Sequence, residues 1–338
     1  MKAILCQTHG PPETLAYTEV PTPALTDKGV RIGVHAAGVN FPDLLIIEGR
    51  YQIKPDLPFS PGAEVSGEVL ETGSAVTGFS RGDRVIGMTR WNGYAEEVVV
   101  PVERCLPMPQ DMDPIVAAGL AMTYGTAFHA LVQRAALRPT DTLLVHGAAG
   151  GIGTAAIDIG QCLGARIIAT SGNDAKLQAI GRHYGVKHLI NYVSDPDWKD
   201  RIKSLTDGQG ADVICDPVGG TVFEASLRCI NWEGRLLVIG FTSGSIPQAR
   251  ANLILLKGCS VVGVFWGDFV TRSPAANRAN FDQLFAWYKA GRLRPLIART
   301  FPLEQAATAL QVVARREVVG KIILTTARYP GPDDRHDI

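Results

Sequence analysis

The sequence predicts an α/β protein that combines a doubly wound parallel sheet with a mostly-β domain. From about Met122 onward, six apolar segments of strand type alternate with segments of helical apolar spacing, which indicates a parallel sheet covered by helices. Before that point, the chain is rich in glycine, proline and short alternating runs, which are typical of a β domain. The length of 338 residues exceeds what one hydrophobic core usually supports, so two domains are expected.

The predicted elements follow this division. In the β domain, strands are expected at residues 1–6, 30–36, 65–70, 83–87 and 97–101. In the α/β domain, strands are expected at residues 142–146, 166–170, 188–190, 212–215, 235–239 and 260–264, and the first helix at 154–163. Helices at 281–290 and 303–315 and a closing strand at 321–324 follow, and the strand could return to the first domain. The polar residues 329–338 are expected to be disordered.

The most informative segment is the apolar strand that runs through Val145 and His146 into a glycine turn and a helix. Residues 148–153 have the spacing A-x-G-x-x-G, with alanine in the first glycine position. Small residues let the backbone approach a pyrophosphate, whose charge is stabilised at the positive end of the following helix. The strand, turn, helix and second strand are the context in which such a cluster predicts a dinucleotide site, although a tight turn alone would explain the glycines.

The composition is that of a soluble globular enzyme, with 46% apolar and 20% charged residues. The 33 basic and 33 acidic residues balance, so neither a nucleic acid nor an anionic membrane is an expected partner. No apolar run is long enough to span a bilayer, and the one at the N-terminus is too short for a signal peptide; the expected location is the cytoplasm. The 6 cysteines are scattered and the 7 histidines do not cluster, so no bound metal is expected.

A family resemblance extends over nearly the whole chain. The motifs that carry it occur in order: residues 38–43, 49–51, 61–64, 82–85, 145–153, 191–192, 216–220 and 320–321. In this order the chain resembles the medium-chain dehydrogenases/reductases, and within them the zinc-independent quinone oxidoreductases. Residues 252–257 and 265–267 point to one branch of that family.

The resemblance implies a GroES-like catalytic domain and a Rossmann domain that binds NADP. The first part of the catalytic domain is expected at residues 1–122, the Rossmann domain at 123–264, and a return to the catalytic domain at 265–328.

The chain departs from its zinc-dependent relatives at the metal ligands. Asn40 stands where they have a cysteine, Ala63 precedes Glu64 where they have a histidine, and the four-cysteine lobe is missing. Without a Lewis acid, the alcohol pKa is not readily lowered for oxidation. An acceptor that is already electrophilic can still take a hydride, so the sequence favours a reductase.

Cofactor choice depends on the end of the second strand of the Rossmann domain. That strand ends at Ser171 without the acidic residue that usually accepts hydrogen bonds from the ribose hydroxyls of NAD. Small polar residues leave room for a 2′-phosphate, and Lys176 supplies a counter-charge unless it is a solvated helix residue. Tyr192 matches a family position beside that phosphate. These residues predict NADPH rather than NADH.

Asn40 and Tyr51 are the predicted catalytic residues. The amide of Asn40 could donate a hydrogen bond to a substrate carbonyl, and the phenol of Tyr51 could donate to the same oxygen or protonate the product. The alternatives are that Asn40 only fixes a turn and that Tyr51 only packs. The resemblance places the nicotinamide near residues 240–242 and 264–266. The full set predicted to bind the cofactor is Thr126, Ala149, Gly150, Gly151, Ile152, Gly153, Ser171, Lys176, Tyr192, Val218, Gly240, Phe241, Phe265 and Trp266.

Three functions stay open: reduction of quinones, reduction of the C=C bond of enones, enals or acryloyl thioesters, and cofactor binding with negligible turnover. The apolar strand at residues 260–264 is expected at the sheet edge, and an exposed apolar edge is usually paired or covered. A homodimer joined through that strand is therefore a further prediction.

Overall fold

The computed structural model describes residues 1–331. The strands are β1 (Lys2–Leu5), β2 (Ala16–Glu19), β3 (Gly29–Val39), β4 (Val65–Thr72), β5 (Arg84–Gly87), β6 (Glu97–Pro101), β7 (Cys105–Pro107), β8 (Thr142–Val145), β9 (Arg166–Ser171), β10 (His188–Asn191), β11 (Ala211–Asp216), β12 (Ile230–Val238), β13 (Ser260–Gly263), β14 (Ile297–Pro302) and β15 (Lys321–Thr325). The helices are α1 (Phe41–Ile47), α2 (Pro114–Ala118), α3 (Ala121–Phe128), α4 (Gly151–Cys162), α5 (Asp174–Tyr184), α6 (Trp198–Leu205), α7 (Gly220–Ser226), α8 (Ala251–Lys257), α9 (Trp266–Arg272), α10 (Pro274–Lys289) and α11 (Ala306–Ala314).

The chain forms two compact units. Unit 1 consists of Met1–Met122 together with the chain from Ile297 on, and unit 2 is Thr123–Leu296. Residues 265–296 therefore belong to unit 2, whereas the sequence analysis assigned them to the returning segment. The physical reason is that α9 and α10 pack on other parts of unit 2. The Gln133 amide donates to Asn280 at 2.8 Å, and the rings of Phe128 and Trp287 lie 5.7 Å apart.

Unit 1 contains a seven-stranded sheet in the order β14-β15-β3-β4-β5-β7, and β6 pairs with β3 as well. Val30, Ile32 and Val34 of β3 are buried and belong to the hydrophobic core of this unit. The returning strand β15 pairs antiparallel with β3 so that Ile322 lies opposite Val39. This register brings the start of β15 next to the end of β3, where the predicted catalytic segment begins.

Unit 2 contains a six-stranded sheet in the order β10-β9-β8-β11-β12-β13, and every pairing in it is parallel. This confirms the predicted doubly wound sheet. The chain order reverses between β8 and β11, which is the position where such sheets bind ligands at the carboxyl ends of their strands. As expected, β13 is an edge strand.

The remaining differences from the sequence analysis are local. Helix α4 begins at Gly151, three residues before the predicted start, because the glycine turn itself forms the first turn. Helix α9 was not predicted. Of the expected tail at 329–338, residues 332–338 lie outside the described residues, while Tyr329 donates its backbone N–H to the carbonyl of Thr326. Among residues 1–331, no helix has the length and apolar character required to cross a membrane.

Candidate active site

The glycine turn of unit 2 lies between β8 and α4. Gly147 has a φ of +56°, a left-handed conformation that glycine adopts without strain, and Gly150 is the N-cap residue of α4. The turn is held against the sheet by a hydrogen bond of 3.0 Å from the Ala148 N–H to the carbonyl of Thr170. Gly150 is exposed, and Gly151 and Ile152 are half-buried, so the backbone at the start of α4 is accessible.

Gly153 is the residue of the turn that tolerates no side chain. A Cβ at this position would lie 2.3 Å from the carbonyl oxygen of Gly147 and 2.7 Å from the Cα of Ala148. A Cβ at Gly150 would meet only the Gly147 oxygen, at 3.4 Å. The last glycine of the motif therefore permits close packing of helix on turn, and the middle one leaves open space in front of the helix. This arrangement fits a dinucleotide pyrophosphate.

The residues predicted to select the cofactor lie together at the carboxyl ends of β9 and β10. The Tyr192 N–H donates to the carbonyl of Ser171 at 3.2 Å, and Ser171 is buried. Helix α5 begins next to them and is capped by Asn173, whose side chain accepts from the N–H of Lys176 at 3.0 Å. Lys176 is the third residue of this helix. No carboxylate ends β9.

His146 supports this region through hydrogen bonds to two hydroxyl groups, and no role was predicted for it from the sequence. Its ring is fully buried, with Nδ1 2.7 Å from the hydroxyl of Thr170 and Nε2 2.8 Å from the hydroxyl of Ser226. Burial lowers the pKa of His146 to about 3, so the ring is neutral at physiological pH. Because the Ser226 hydroxyl donates to the carbonyl of Val222, its oxygen accepts from Nε2–H. A histidine at an apolar strand position was the only signal in the sequence.

A second turn follows β11 and is organised by Asp216. One carboxylate oxygen of Asp216 accepts from the N–H groups of Val218 and Gly219 at 2.7 and 3.0 Å, and burial raises its pKa. The loop after β12 lies over this turn, because the N–H of Ser243 donates to the carbonyl of Val218 at 2.9 Å. Phe241 in this loop is 38% exposed.

The predicted nicotinamide residues differ in exposure. Phe265 is 52% exposed, whereas Trp266 is only 4% exposed and its indole N–H donates to Asn277 at 3.0 Å. A Cβ at Gly125 of α3 would lie 2.5 Å from the Trp266 ring, which shows how tightly the indole is packed inside unit 2. The ring of Trp266 is therefore packed inside unit 2, and its part in binding the nicotinamide stays a prediction. Thr126 is half-buried on α3.

In unit 1, Asn40 lies in a buried network with Lys321 and Glu64. The ammonium of Lys321 donates to the side-chain oxygen of Asn40 at 2.8 Å and to Oε1 of Glu64 at 2.9 Å. The amide nitrogen of Asn40 donates to the same Glu64 oxygen at 2.9 Å. The carbonyl of Val39 is the third acceptor of the ammonium, also at 2.9 Å. All three side chains are less than 9% exposed.

The other oxygen of Glu64 accepts from the backbone N–H of Met122 at 2.7 Å. Close approach of the carboxylate requires a glycine on β3, since a Cβ at Gly38 would lie 2.4 Å from Oε1 of Glu64. The sequence contained both Glu64 and Lys321 within family motifs but offered no reason to pair them. Their side chains come together only through the register of β15 with β3.

Asp43 extends the network toward Tyr94. Its Oδ2 accepts from the backbone N–H of Asn40 at 2.8 Å and from the hydroxyl of Tyr94 at 2.7 Å. Its Oδ1 is buried and has no hydrogen-bond partner among the described residues. Burial raises the pKa of Asp43 to about 6, against the opposing effect of these two donors.

Tyr51 differs from Asn40 in that its polar group makes no hydrogen bond to the described residues. Its ring packs against the core of unit 1 and is partly buried, and its hydroxyl has no hydrogen bond to any residue in 1–331. Burial, followed by the negative charge of Asp43, raises the pKa of Tyr51, so the phenol stays protonated and can donate. Of the two predicted catalytic residues, Tyr51 is the one whose polar group makes no hydrogen bond within residues 1–331, whereas Asn40 is held in the network with Glu64 and Lys321.

Within residues 1–331, no group of three or more histidine, cysteine, aspartate or glutamate side chains is arranged to hold a metal ion.

Comparison with known families gives two matches. Residues 26–110 match the alcohol dehydrogenase GroES-like domain, and residues 151–288 match the zinc-binding dehydrogenase family. The second family is named for metal binding, but its match covers unit 2, whereas the departures from the metal ligands at Asn40 and Ala63 lie in unit 1.

Similar proteins cover almost the whole chain. A quinone oxidoreductase-like protein 2 homolog of Nematostella vectensis is 40% identical over 96% of this chain and 89% of its own. A 2-haloacrylate reductase of a Burkholderia species is 32% identical over 95% of this chain and 98% of its own. Among solved structures, Escherichia coli quinone oxidoreductase complexed with NADPH superposes with a TM-score of 0.89 at 26% identity, over 96% of this chain and all of the other.

Proposed function

Since the chain belongs to the quinone oxidoreductase family of the medium-chain dehydrogenases/reductases, we propose that it is an NADPH-dependent reductase that delivers hydride to a quinone. The glycine turn is the main support for NADPH binding. Its last glycine allows helix α4 to approach the turn so closely that no side chain fits between them. The quinone part is supported by the similarity to quinone oxidoreductase-like protein 2.

NADPH is favoured over NADH by the residues around the end of β9. Ser171 and Tyr192 are adjacent there, no carboxylate ends the strand, and Lys176 lies in the first turn of α5. A 2′-phosphate at this place meets a cation and hydroxyl donors, whereas a carboxylate would repel it. The structure of the Escherichia coli relative with NADPH supports the same choice.

The bound cofactor supplies a hydride from the nicotinamide ring, and the residues of the chain position and protonate the acceptor. Tyr51 is the proposed proton donor, because its hydroxyl is protonated and has no partner in the described chain. In quinone reduction, one hydride converts the quinone to the hydroquinone monoanion, and one proton from Tyr51 converts that anion to the neutral hydroquinone. Removal of the phenol hydroxyl therefore slows the reaction without removing the hydride source.

The proton balance is simplest when it is written for the neutral product. A quinone accepts a hydride, which is one proton and two electrons, and one further proton gives the hydroquinone. Tyr51 gives that further proton and recovers it from solvent. Asn40 gives no proton; its side-chain N–H, which makes a long contact of 3.4 Å to the carbonyl of Gly38, is proposed to donate a hydrogen bond to the substrate oxygen.

The second candidate is reduction of an activated C=C bond, as in enones, enals or acryloyl thioesters. The observation that favours it is the 32% identity to a 2-haloacrylate reductase over nearly the whole chain. In this reaction the hydride adds to the β-carbon and the proton from Tyr51 adds at the α-carbon or the carbonyl oxygen. The same two groups of the chain serve both substrates.

The test is consumption of NADPH, measured by absorbance, with 1,4-benzoquinone, crotonaldehyde and acryloyl-CoA as separate acceptors. Turnover of the quinone above the other two is the expected result, and a preference for crotonaldehyde or acryloyl-CoA would favour the second candidate. Tight NADPH binding without turnover of any acceptor would contradict both and leave a cofactor-binding protein. Tyr51→Phe is expected to reduce kcat roughly 10- to 100-fold while NADPH affinity is kept.

We also propose that the protein is a homodimer joined through β13. This strand is an edge of the sheet of unit 2, and three exposed apolar side chains of the same unit lie on β12 and α8: Trp232, Leu255 and Leu256, which are 64%, 79% and 70% exposed. Apolar exposure of this kind is usually covered by another chain. Light scattering at about micromolar concentration tests the proposal, and a monomeric mass would contradict it.

A further inference from the structure

We propose that Lys321 is a positioning residue of this site: with Glu64 it fixes the side-chain amide of Asn40 in one orientation, with the nitrogen turned away from the ammonium. The inference deepens the proposed function and depends on it for its consequence in catalysis. It assigns a role to two buried charged residues that no step of the proposed reaction uses.

The orientation follows from the three contacts of the network. The ammonium of Lys321 has only donors, so the Asn40 atom 2.8 Å away must be the oxygen. The carboxylate of Glu64 has only acceptors, so the Asn40 atom 2.9 Å away must be the nitrogen. Lys321 and Glu64 are themselves 2.9 Å apart, which closes a ring of three hydrogen bonds. A half-turn of the amide would place donor against donor and acceptor against acceptor.

All hydrogen-bond donors of the Lys321 ammonium are occupied within this network. Its three N–H groups meet three acceptors, on Val39, Asn40 and Glu64, and the side chain is only 6% exposed. Lys321 therefore has no proton left for a substrate and acts through Asn40. One hydrogen of the Asn40 amide points to Glu64, and the other makes only the long contact of 3.4 Å to Gly38. This second hydrogen is the group that the network offers to a substrate oxygen.

Reversal of the amide would present an oxygen in place of that N–H. An oxygen repels a substrate carbonyl and the negative charge that develops on it during hydride transfer, so the orientation controls turnover. The resemblance to the metal-dependent relatives puts Asn40 at one of their metal ligands. In this chain, the fixed cation next to that position is the ammonium of Lys321.

The decisive variant is the double substitution Lys321→Met with Glu64→Gln, which removes both charges together. The new glutamine must turn its oxygen toward the N–H of Met122, now 2.7 Å from Glu64. Its amide nitrogen then faces Asn40 and attracts the oxygen of that residue, so the Asn40 amide reverses. The fold keeps a hydrogen-bonded network while the orientation changes.

The expected result is cooperative unfolding, a Kd for NADPH within about twofold of the wild type, and a kcat for 1,4-benzoquinone lowered roughly 10- to 100-fold. The matched control is Arg235→Met with Asp141→Asn, which removes an ion pair of unit 2 that lies at the opposite ends of the strands from the glycine turn. Wild-type kcat in the double variant, or an equal loss of kcat in the control, would overturn the proposal.

A second readout does not depend on activity. In protein labelled with 15N-asparagine, the side-chain amide protons of Asn40 are those missing from the spectrum of Asn40→Ser. We expect them to exchange with water more slowly than those of exposed asparagines, and to change shift in the double variant. Exchange as fast as in exposed asparagines overturns the proposal even if the double variant does not fold. A wild-type protein that turns over no acceptor contradicts the proposed function instead, and the amide spectrum still tests whether the network holds the Asn40 amide.

Discussion

The candidate sites of the two units consist of different kinds of groups, polar side chains in unit 1 and exposed backbone in unit 2. In unit 1, the site is a buried network of ionised and polar side chains around Asn40, Glu64 and Lys321. In unit 2, the glycine turn exposes backbone and is shaped by the absence of side chains at Gly150 and Gly153. We therefore expect the site of unit 1 to be sensitive to charge balance and pH, and the site of unit 2 to be sensitive to added side-chain volume.

The largest effect is expected from breaking the charge balance on one side only. Lys321→Met leaves the carboxylate of Glu64 buried without its cation, and loss of one partner of a buried pair destabilises a protein by about 3–5 kcal/mol. Urea unfolding measures the loss. The double variant with Glu64→Gln should recover a large part of it, and a double variant less stable than Lys321→Met would show that the pair is not coupled.

The pH sensitivity of unit 1 should be visible at Asp43. The pKa of Asp43 is about 6 in the folded protein, above the ordinary value of 3.8. The protonated carboxyl therefore contributes stability that is fully present below pH 3.8 and is lost as the pH rises through about 6. Asp43→Asn does not titrate. The stability of this variant relative to wild type should therefore increase by about 2 kcal/mol between about pH 4 and about pH 7. Unfolding at both pH values measures it, and a constant difference would contradict the raised pKa.

The volume sensitivity of unit 2 should be visible at Gly153. Gly153→Ala forces a methyl group against the backbone of Gly147 and Ala148, which is expected to destabilise unit 2 by about 1–3 kcal/mol and to weaken NADPH binding. Gly150→Ala is the matched control for stability alone, since its methyl group meets only one protein atom at an ordinary distance but projects into the space proposed for the pyrophosphate. Urea unfolding separates the two variants, and titration of NADPH fluorescence measures the loss of binding in Gly153→Ala. An equal loss of unfolding free energy in both variants would mean that the close packing of the turn is unimportant.

A smaller effect is expected where unit 2 selects its cofactor by charge. Ser171→Asp puts a carboxylate at the end of β9, where it repels a 2′-phosphate and accepts from ribose hydroxyls. The ratio of Kd values for NADH and NADPH should shift roughly tenfold in favour of NADH, which corresponds to about 1.4 kcal/mol. Ser171→Asn is the uncharged control. An unchanged ratio in the aspartate variant would place the 2′-phosphate elsewhere.

Most of unit 2 could be predicted from the sequence because its signals are local. The strand of residues 142–146 and the glycine spacing after it lie within one short segment, and each strand of the parallel sheet alternates with a helix along the chain. Local apolar periodicity fixes such elements before any distant contact forms. The limit of this reasoning appears at Trp266, because its place just after β13 could be read from the sequence but the burial of its ring inside unit 2 could not.

The sequence by itself determined the parallel sheet, the glycine turn and the choice of Asn40 and Tyr51 as predicted catalytic residues. Only the tertiary structure decided which of their polar groups are available, and the reason is distance along the chain. Lys321 and Asn40 are separated by 281 positions, and no periodicity relates them. They meet because β15 pairs with β3 in one register, and a slip of that register by one residue would move the Lys321 side chain to the other face of the sheet.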